Sequence, residues 1–152
     1  MRTLFLSLIL ALTFTSSFAQ SMNNSKLNSM FNTLADEIEG ENGAWQFIID
    51  STLFICLTDE YNNRMRIISP IDEIVNLSED EYMKCLEANF HTALDARYAI
   101  TDGILWAAYI HPLKEQTAEQ VLAALSQVYS CVKTFGSEYS SGVLAFPKGD
   151  GQ

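Results

Sequence analysis

The fold turns on Arg97-Tyr98-Ala99-Ile100-Thr101-Asp102-Gly103-Ile104-Leu105-Trp106-Ala107-Ala108-Tyr109-Ile110-His111. Two runs of β-branched, aromatic and apolar residues flank Asp102-Gly103. A two-residue Asp-Gly linker suits the tight turn whose twist matches that of paired strands, the strongest short hairpin signal a sequence offers. In the second run Ile104, Trp106, Ala108 and Ile110 share one face by the period of two. Pro112 stops it. The stretch reads as an antiparallel strand pair.

Three more strand-like runs lie upstream. Ala44–Ile49 places Trp45, Phe47 and Ile49 on one face, and Asp50-Ser51 is a tight turn. Thr52–Thr58 follows, with Leu53, Ile55 and Leu57 facing one way. Residues 59–63, Asp-Glu-Tyr-Asn-Asn, form a polar hairpin loop. Arg64–Ile71 returns with Met65 and Ile67 alternating against Arg64 and Arg66, and Pro70 suits a strand end or an edge.

Helical periods fill the rest. Leu27, Met30, Phe31, Leu34 and Ile38 form one stripe, capped by Asn24 or Ser25 and ended by Gly40 and Gly43. Ser78-Glu79-Asp80-Glu81 is a capping box with acids on the positive helix end. Tyr82, Cys85, Leu86, Phe90 and Ala93 continue that second helix to about Leu94. Thr117-Ala118-Glu119-Gln120 is another capping box. Val121, Leu122, Leu125, Val128, Tyr129, Val132 and Phe135 follow it, with Gly136 as C-cap. The order is α-β-β-β-α-β-β-α. Hairpin connections imply an antiparallel sheet of about five strands, and helices must cover its apolar face, so the class is a two-layer α+β domain.

That domain spans residues 20–136. Residues 137–152 are polar, with only Val143, Leu144 and Phe146 able to dock, and read as a flexible tail. Residues 1–19 read as a secretory signal peptide. Arg2 precedes an apolar run from Leu4 to Phe14, and small residues stand at −3 and −1 in Ser17-Phe18-Ala19. The run is far shorter than the roughly 20 residues a membrane span needs. The mature chain is expected to be periplasmic or secreted.

The 152 residues carry 19 acids against 9 bases, a net charge of −10, and 48% are apolar. An apolar fraction this high argues against a disordered chain. Nucleic acid is excluded as a natural partner, because its phosphates require Lys and Arg. Anionic lipid surfaces are excluded on the same ground.

Cys56, Cys85 and Cys131 allow at most one internal disulfide. Each sits in an apolar pattern, as a small buried hydrophobe does; a Cys85–Cys131 bridge between two helices is the alternative. No CxxC is available for redox or zinc chemistry.

The chain has two histidines. His91 and Asp95 share a helix face, too few ligands for structural zinc. His111 precedes Pro112 at a strand end and suits a turn cap. The acids cluster at helix ends and turns, where dipoles and solvation account for them. There is no GxSxG, GxGxxG, phosphate loop or EF-hand spacing. No catalytic residue, metal ligand or cofactor site is assigned. A small hydrolase with an unrecognised carboxylate and His site stays as the alternative function.

The element order resembles the type III secretion chaperone-like fold and, within it, the YbjN-like (CesT-like) bacterial families. The likeness rests on Trp45-Gln46-Phe47, on Phe54-Ile55-Cys56-Leu57-Thr58-Asp59 and on Arg64-Met65-Arg66-Ile67. It continues through Ala99-Ile100-Thr101-Asp102-Gly103-Ile104-Leu105 and the Thr117–Phe135 helix, about residues 25–136. The resemblance implies a non-enzymatic binding module, often a homodimer, that holds another polypeptide in extended form. Secretion chaperones of that kind work in the cytoplasm, so the export signal departs from the pattern. The Asn-x-Ser sequons at Asn23 and Asn76 matter only in a eukaryotic pathway, whereas the resemblance points to a bacterium.

Thr52–Thr58 and Ile104–His111 are apolar on both faces. One sheet face therefore exceeds what three helices cover, and the excess is a partner or dimer surface. Leu53, Ile55, Trp106 and Tyr109, with Arg64 and Arg66, are its candidate contact residues. The two arginines suit a carboxylate or an acidic partner segment; ion pairs within this acidic surface are the alternative.

Overall fold

The computed structural model describes residues 21–142. The signal-peptide segment and residues 143–152 lie outside the described residues. Helix α1 covers Asn24–Leu34 and is followed by strands β1 (Glu37–Glu41), β2 (Ala44–Ile49), β3 (Thr52–Asp59) and β4 (Arg64–Glu73). A short 3-10 turn, Ile74–Asn76, leads to α2 (Glu79–His91), β5 (Arg97–Thr101), β6 (Ile104–His111) and α3 (Ala118–Thr134). The six strands make one sheet in the order β1-β2-β3-β4-β6-β5. Every neighbouring pair is antiparallel.

Sheet and helices form the expected α+β class, with one strand more than the five expected. The segment read as the end of the first helix is β1. The helix stops at Ala35, whose backbone is extended and whose N–H returns to the Phe31 carbonyl. Ile38 keeps the helical spacing from Leu34 but lies opposite Phe47 in the β1–β2 ladder. The turn joining the two strands is Asn42-Gly43, both with positive φ (54° and 102°). Asn-Gly is the preferred pair for that turn and a readable hairpin signal. Asp50-Ser51 and Asp102-Gly103 use positive φ at both positions too.

Pro70 lies inside β4 rather than at its end. Pairing with β3 stops at Ile68, however, so β4 is locally an edge on that side where the proline lacks a donor. The ladder with β6 shifts register between Pro70 and Asp72.

All three helices pack into one core on one side of the sheet. Leu27 and Phe31 of α1 meet Trp45, Phe47 and Phe54; Phe31 stacks on Phe47 at 4.5 Å and meets Trp45 edge-on at 5.6 Å. Trp45 also donates its indole N–H to Asn28 Oδ1 at 3.0 Å. α3 packs on β4, β5 and β6 through Val121, Leu125, Val128 and Cys131. Both capping boxes form, Ser78 with Glu81 and Thr117 with Gln120.

The second helix presents a different stripe from the one expected. α2 buries Cys85 and Ala88 and leaves Leu86 and Phe90 exposed. It lies against edge strand β5. After α3 the chain folds back on the end of α2. Tyr139 and Ser141 are buried, Thr92 donates to the Tyr139 carbonyl at 2.5 Å, and the Leu94 N–H reaches Ser141 Oγ at 2.6 Å. The first residues of the segment read as a tail are thus packed against the domain.

Candidate functional site: the helix-free sheet face

Strand alternation sends every second side chain away from the helices. On that outer face lie Ile48 of β2, Leu53, Ile55 and Leu57 of β3, Ile68 of β4, and Trp106 and Ile110 of β6. None of these belongs to the helix-covered core. The register aligns them in rows. One runs Glu41, Ala44, Leu57, Arg66, Ile110 across five strands. The next runs Glu39, Gln46, Ile55, Ile68, Ala108 and ends on Arg97 of β5. The centre is apolar, the β1 margin is acidic, and the arginines lie on the far side. Shallow hollows follow this face, one between Glu39 and Leu57 and another among Leu57, Arg64, Arg66 and Ile110.

Five of the six residues singled out from the sequence therefore share a face: Leu53, Ile55, Arg64, Arg66 and Trp106. Tyr109 does not. It is only 5% exposed and points into the core, where its hydroxyl donates to Gln116 Oε1 at 2.9 Å. The period of two that groups Trp106 with Ile110 excludes its neighbour Tyr109.

Arg64 and Arg66 have no ion pair among the described residues, where Lys84–Asp80 is the salt bridge that forms. Arg64 lies opposite Asp59 in the ladder. The Asp59 carboxylate is turned to its own loop, accepting the Asn62 N–H at 2.9 Å and the Asn62 side-chain amide at 2.6 Å, and these bonds hold its pKa below the usual range. Arg97 is engaged by the carbonyls of Ala93, Leu94 and Ala96.

The two histidines lie elsewhere. His111 is bound at Nδ1 by the Gln116 side chain at 2.5 Å and approaches the Pro112 carbonyl at 3.1 Å. His91 lines a hollow with Lys84, Glu87, Ser137, Glu138 and Tyr139. The Ser137 hydroxyl donates to the Thr134 carbonyl at 2.9 Å, so it is not held as a nucleophile by that histidine. No group of three or more His, Cys, Asp or Glu among the described residues can hold a metal ion. All three cysteines are buried free thiols. No helix of the described residues is long and apolar enough to cross a membrane.

The feature sequence reasoning missed is on α2. Met83, Leu86 and Phe90 are 56%, 63% and 80% exposed and stand at i, i+3 and i+7, a second apolar strip outside the core. The helical period read from the sequence sets Leu86 and Phe90 on one stripe with Cys85 and does not include Met83; the period alone does not say which side of that stripe turns inward.

No protein-family model and no curated protein sequence matches the chain. Solved structures do. The Yersinia pestis type III secretion chaperone SycH, in complex with a stable fragment of YscM2, matches with TM-score 0.56 at 18% identity, over 74% of this chain and 98% of that one. The matched chain of the ExsC–ExsE complex gives 0.53 at 15%, over 74% and 95%. The matched chain of the HopA1–SchA chaperone–effector complex gives 0.52 at 12%, over 72% and 95%. The chain has the type III secretion chaperone-like fold, and at these identities the likeness is one of fold.

Proposed function

We propose that this chain is an exported, chaperone-like binding module without catalytic activity, which works as a homodimer and holds a polypeptide partner on the open face of its sheet. The observation that carries the reading is a run of apolar outer-face residues, half-buried Leu53, Ile55, Ile68 and Trp106 with exposed Leu57 and Ile110, that no helix of the described residues covers. Contiguous exposed apolar surface on a small protein marks an interaction site. Structural neighbours that are chaperones in complex with protein partners support the same role. Export rests on the N-terminal pattern of a short apolar run and Ser-Phe-Ala.

The α2 strip supports self-association. Two such helices crossing antiparallel about a two-fold axis bury Met83, Leu86 and Phe90 against their own copies. The acidic first turn, Glu79–Glu81, then meets the end of the partner helix that carries His91. Phe90→Glu is expected to give a monomer by sedimentation while the circular dichroism stays unchanged.

The test of the reading is site-specific photo-cross-linking in the host. A cross-linker at position 55 or 106 should capture one polypeptide, and the same group at Glu119, exposed on α3 behind the sheet, should not. Equal capture from all three positions, or capture only of the chain itself, overturns the reading.

A further inference from the structure

The open face is electrically split, and this fixes the chemistry of what lies on it. Glu37, Glu39 and Glu41 project from β1 on this side and Arg64 and Arg66 project from β4, with the apolar outer residues of β2 and β3 between them. None of these five has an ion-pair partner among the described residues. β1 and β4 are three strand spacings apart, about 14 Å. An α-helix with its side chains is about 10–12 Å across. A helix lying along β2 and β3 thus rests on Ile55 and Leu57, with one flank against the glutamates and the other against the arginines. A single extended segment is too narrow to touch both margins at once.

Resting on the reading that this face takes a polypeptide, we propose that its occupant is an amphipathic helix of a partner protein whose apolar stripe is bordered by basic residues on one flank and acidic residues on the other. A wholly basic helix is attracted by the net charge of −10 but sets its second flank against Arg64 and Arg66. A wholly acidic helix opposes the β1 margin. Only a split helix satisfies both sides, and reversing its direction along the strands selects which flank meets which margin.

The test uses four fluorescein-labelled 18-residue helical peptides with one common leucine stripe. One carries Lys on one flank and Glu on the other. A second has the same composition with Lys and Glu mixed on both flanks. The third and fourth carry only Lys or only Glu. Fluorescence anisotropy with the purified protein should show the split peptide binding at least ten-fold tighter than the mixed one. The R64E/R66E variant should lose that preference and favour the all-Lys peptide; both positions are exposed, and circular dichroism checks the fold. Leu53→Asp should abolish binding. Equal affinity for split and mixed peptides, or tightest binding of the all-Lys peptide by the unaltered protein, overturns the split-helix proposal and leaves the face as a docking site. Failure of every peptide to bind overturns the docking reading itself. If Leu53→Asp then converts a larger assembly into a smaller one, a second copy of the chain is the occupant.

Discussion

Asn89 clasps the backbone of Tyr98. Its side-chain oxygen accepts the Tyr98 N–H at 2.7 Å, and its amide nitrogen donates to the Tyr98 carbonyl at 3.0 Å. β5 is an outer strand of the sheet, so α2 supplies at this point what a further strand would. An unpaired edge is a template for association. The contact also orients α2, which helps explain why Cys85 and Ala88 turn inward while Leu86 and Phe90 turn out. Asn89→Ala removes both bonds and should cost about 1–3 kcal/mol. Hydrogen exchange at the Tyr98 amide should speed up more than exchange in β3. Unchanged protection at Tyr98 would show that the clasp does not hold the edge.

Gly40 makes the β1–β2 hairpin possible. A Cβ there would lie 2.2 Å from the Ala44 carbonyl oxygen, and φ is +90°. Gly103 has a similar φ of +77° with nothing within 4 Å of its Cβ position. The pair separates backbone strain from collision. Gly103→Ala should cost about 1 kcal/mol from the left-handed conformation alone. Gly40→Ala should cost about 3 kcal/mol or more, because backbone must move as well. Urea titrations of the two variants decide it, and equal midpoints would refute the collision.

The contrast between these turns shows what the sequence could and could not say. Asp102-Gly103 was readable because strong strand runs flank it. Asn42-Gly43 carries an equally good turn signal. Its first strand, however, is Glu-Ile-Glu-Gly-Glu, without a run of β-formers, and Ile38 falls on the helical period of Leu34. Local period and turn chemistry disagreed there, and tertiary pairing with β2 decided the outcome. The open face was legible in part, since apolar residues on both sides of β3 and β6 exceed what three helices cover. The alternation put Leu53 with Ile55 on one face of β3 and Trp106 with Ile110 on one face of β6. What the sequence lacked was the lateral strand order, which alone brings Glu41 and Arg66 into one row.

Burial pushes the Cys56 and Cys131 thiols up to about 12 and Cys85 up to about 11. Folding thus keeps these groups protonated. Their contribution to stability is full below the unfolded value of about 9, and is lost as pH rises from 9 toward those folded values. Tyr98, raised chiefly by burial, adds a change of the same sign at higher pH. Urea midpoints should fall above pH 9, and Cys131→Ala should flatten that fall. At pH 8 a thiol reagent should label the native protein only as fast as it opens. Immediate labelling of any of the three cysteines would contradict their burial.

Phe54 and Ile55 are neighbours in β3 and point to opposite faces, which makes them the sharpest comparison available. Phe54 is buried in the helix-covered core and stacks on Phe47 at 5.5 Å. Ile55 lies on the outer face, beside Gln46 and Ile68 in its row. Truncating a buried phenylalanine leaves a cavity that the surroundings fill only in part, so Phe54→Ala should cost about 3–5 kcal/mol. Ile55→Ala removes outer-face contacts but opens no cavity, and should cost about 1 kcal/mol or less. Partner capture should respond in the reverse order: Ile55→Asp should abolish it in a protein whose unfolding midpoint has barely moved. If Ile55→Ala proves as destabilising as Phe54→Ala, Ile55 is needed by the fold, and the outer face is serving the fold rather than a partner.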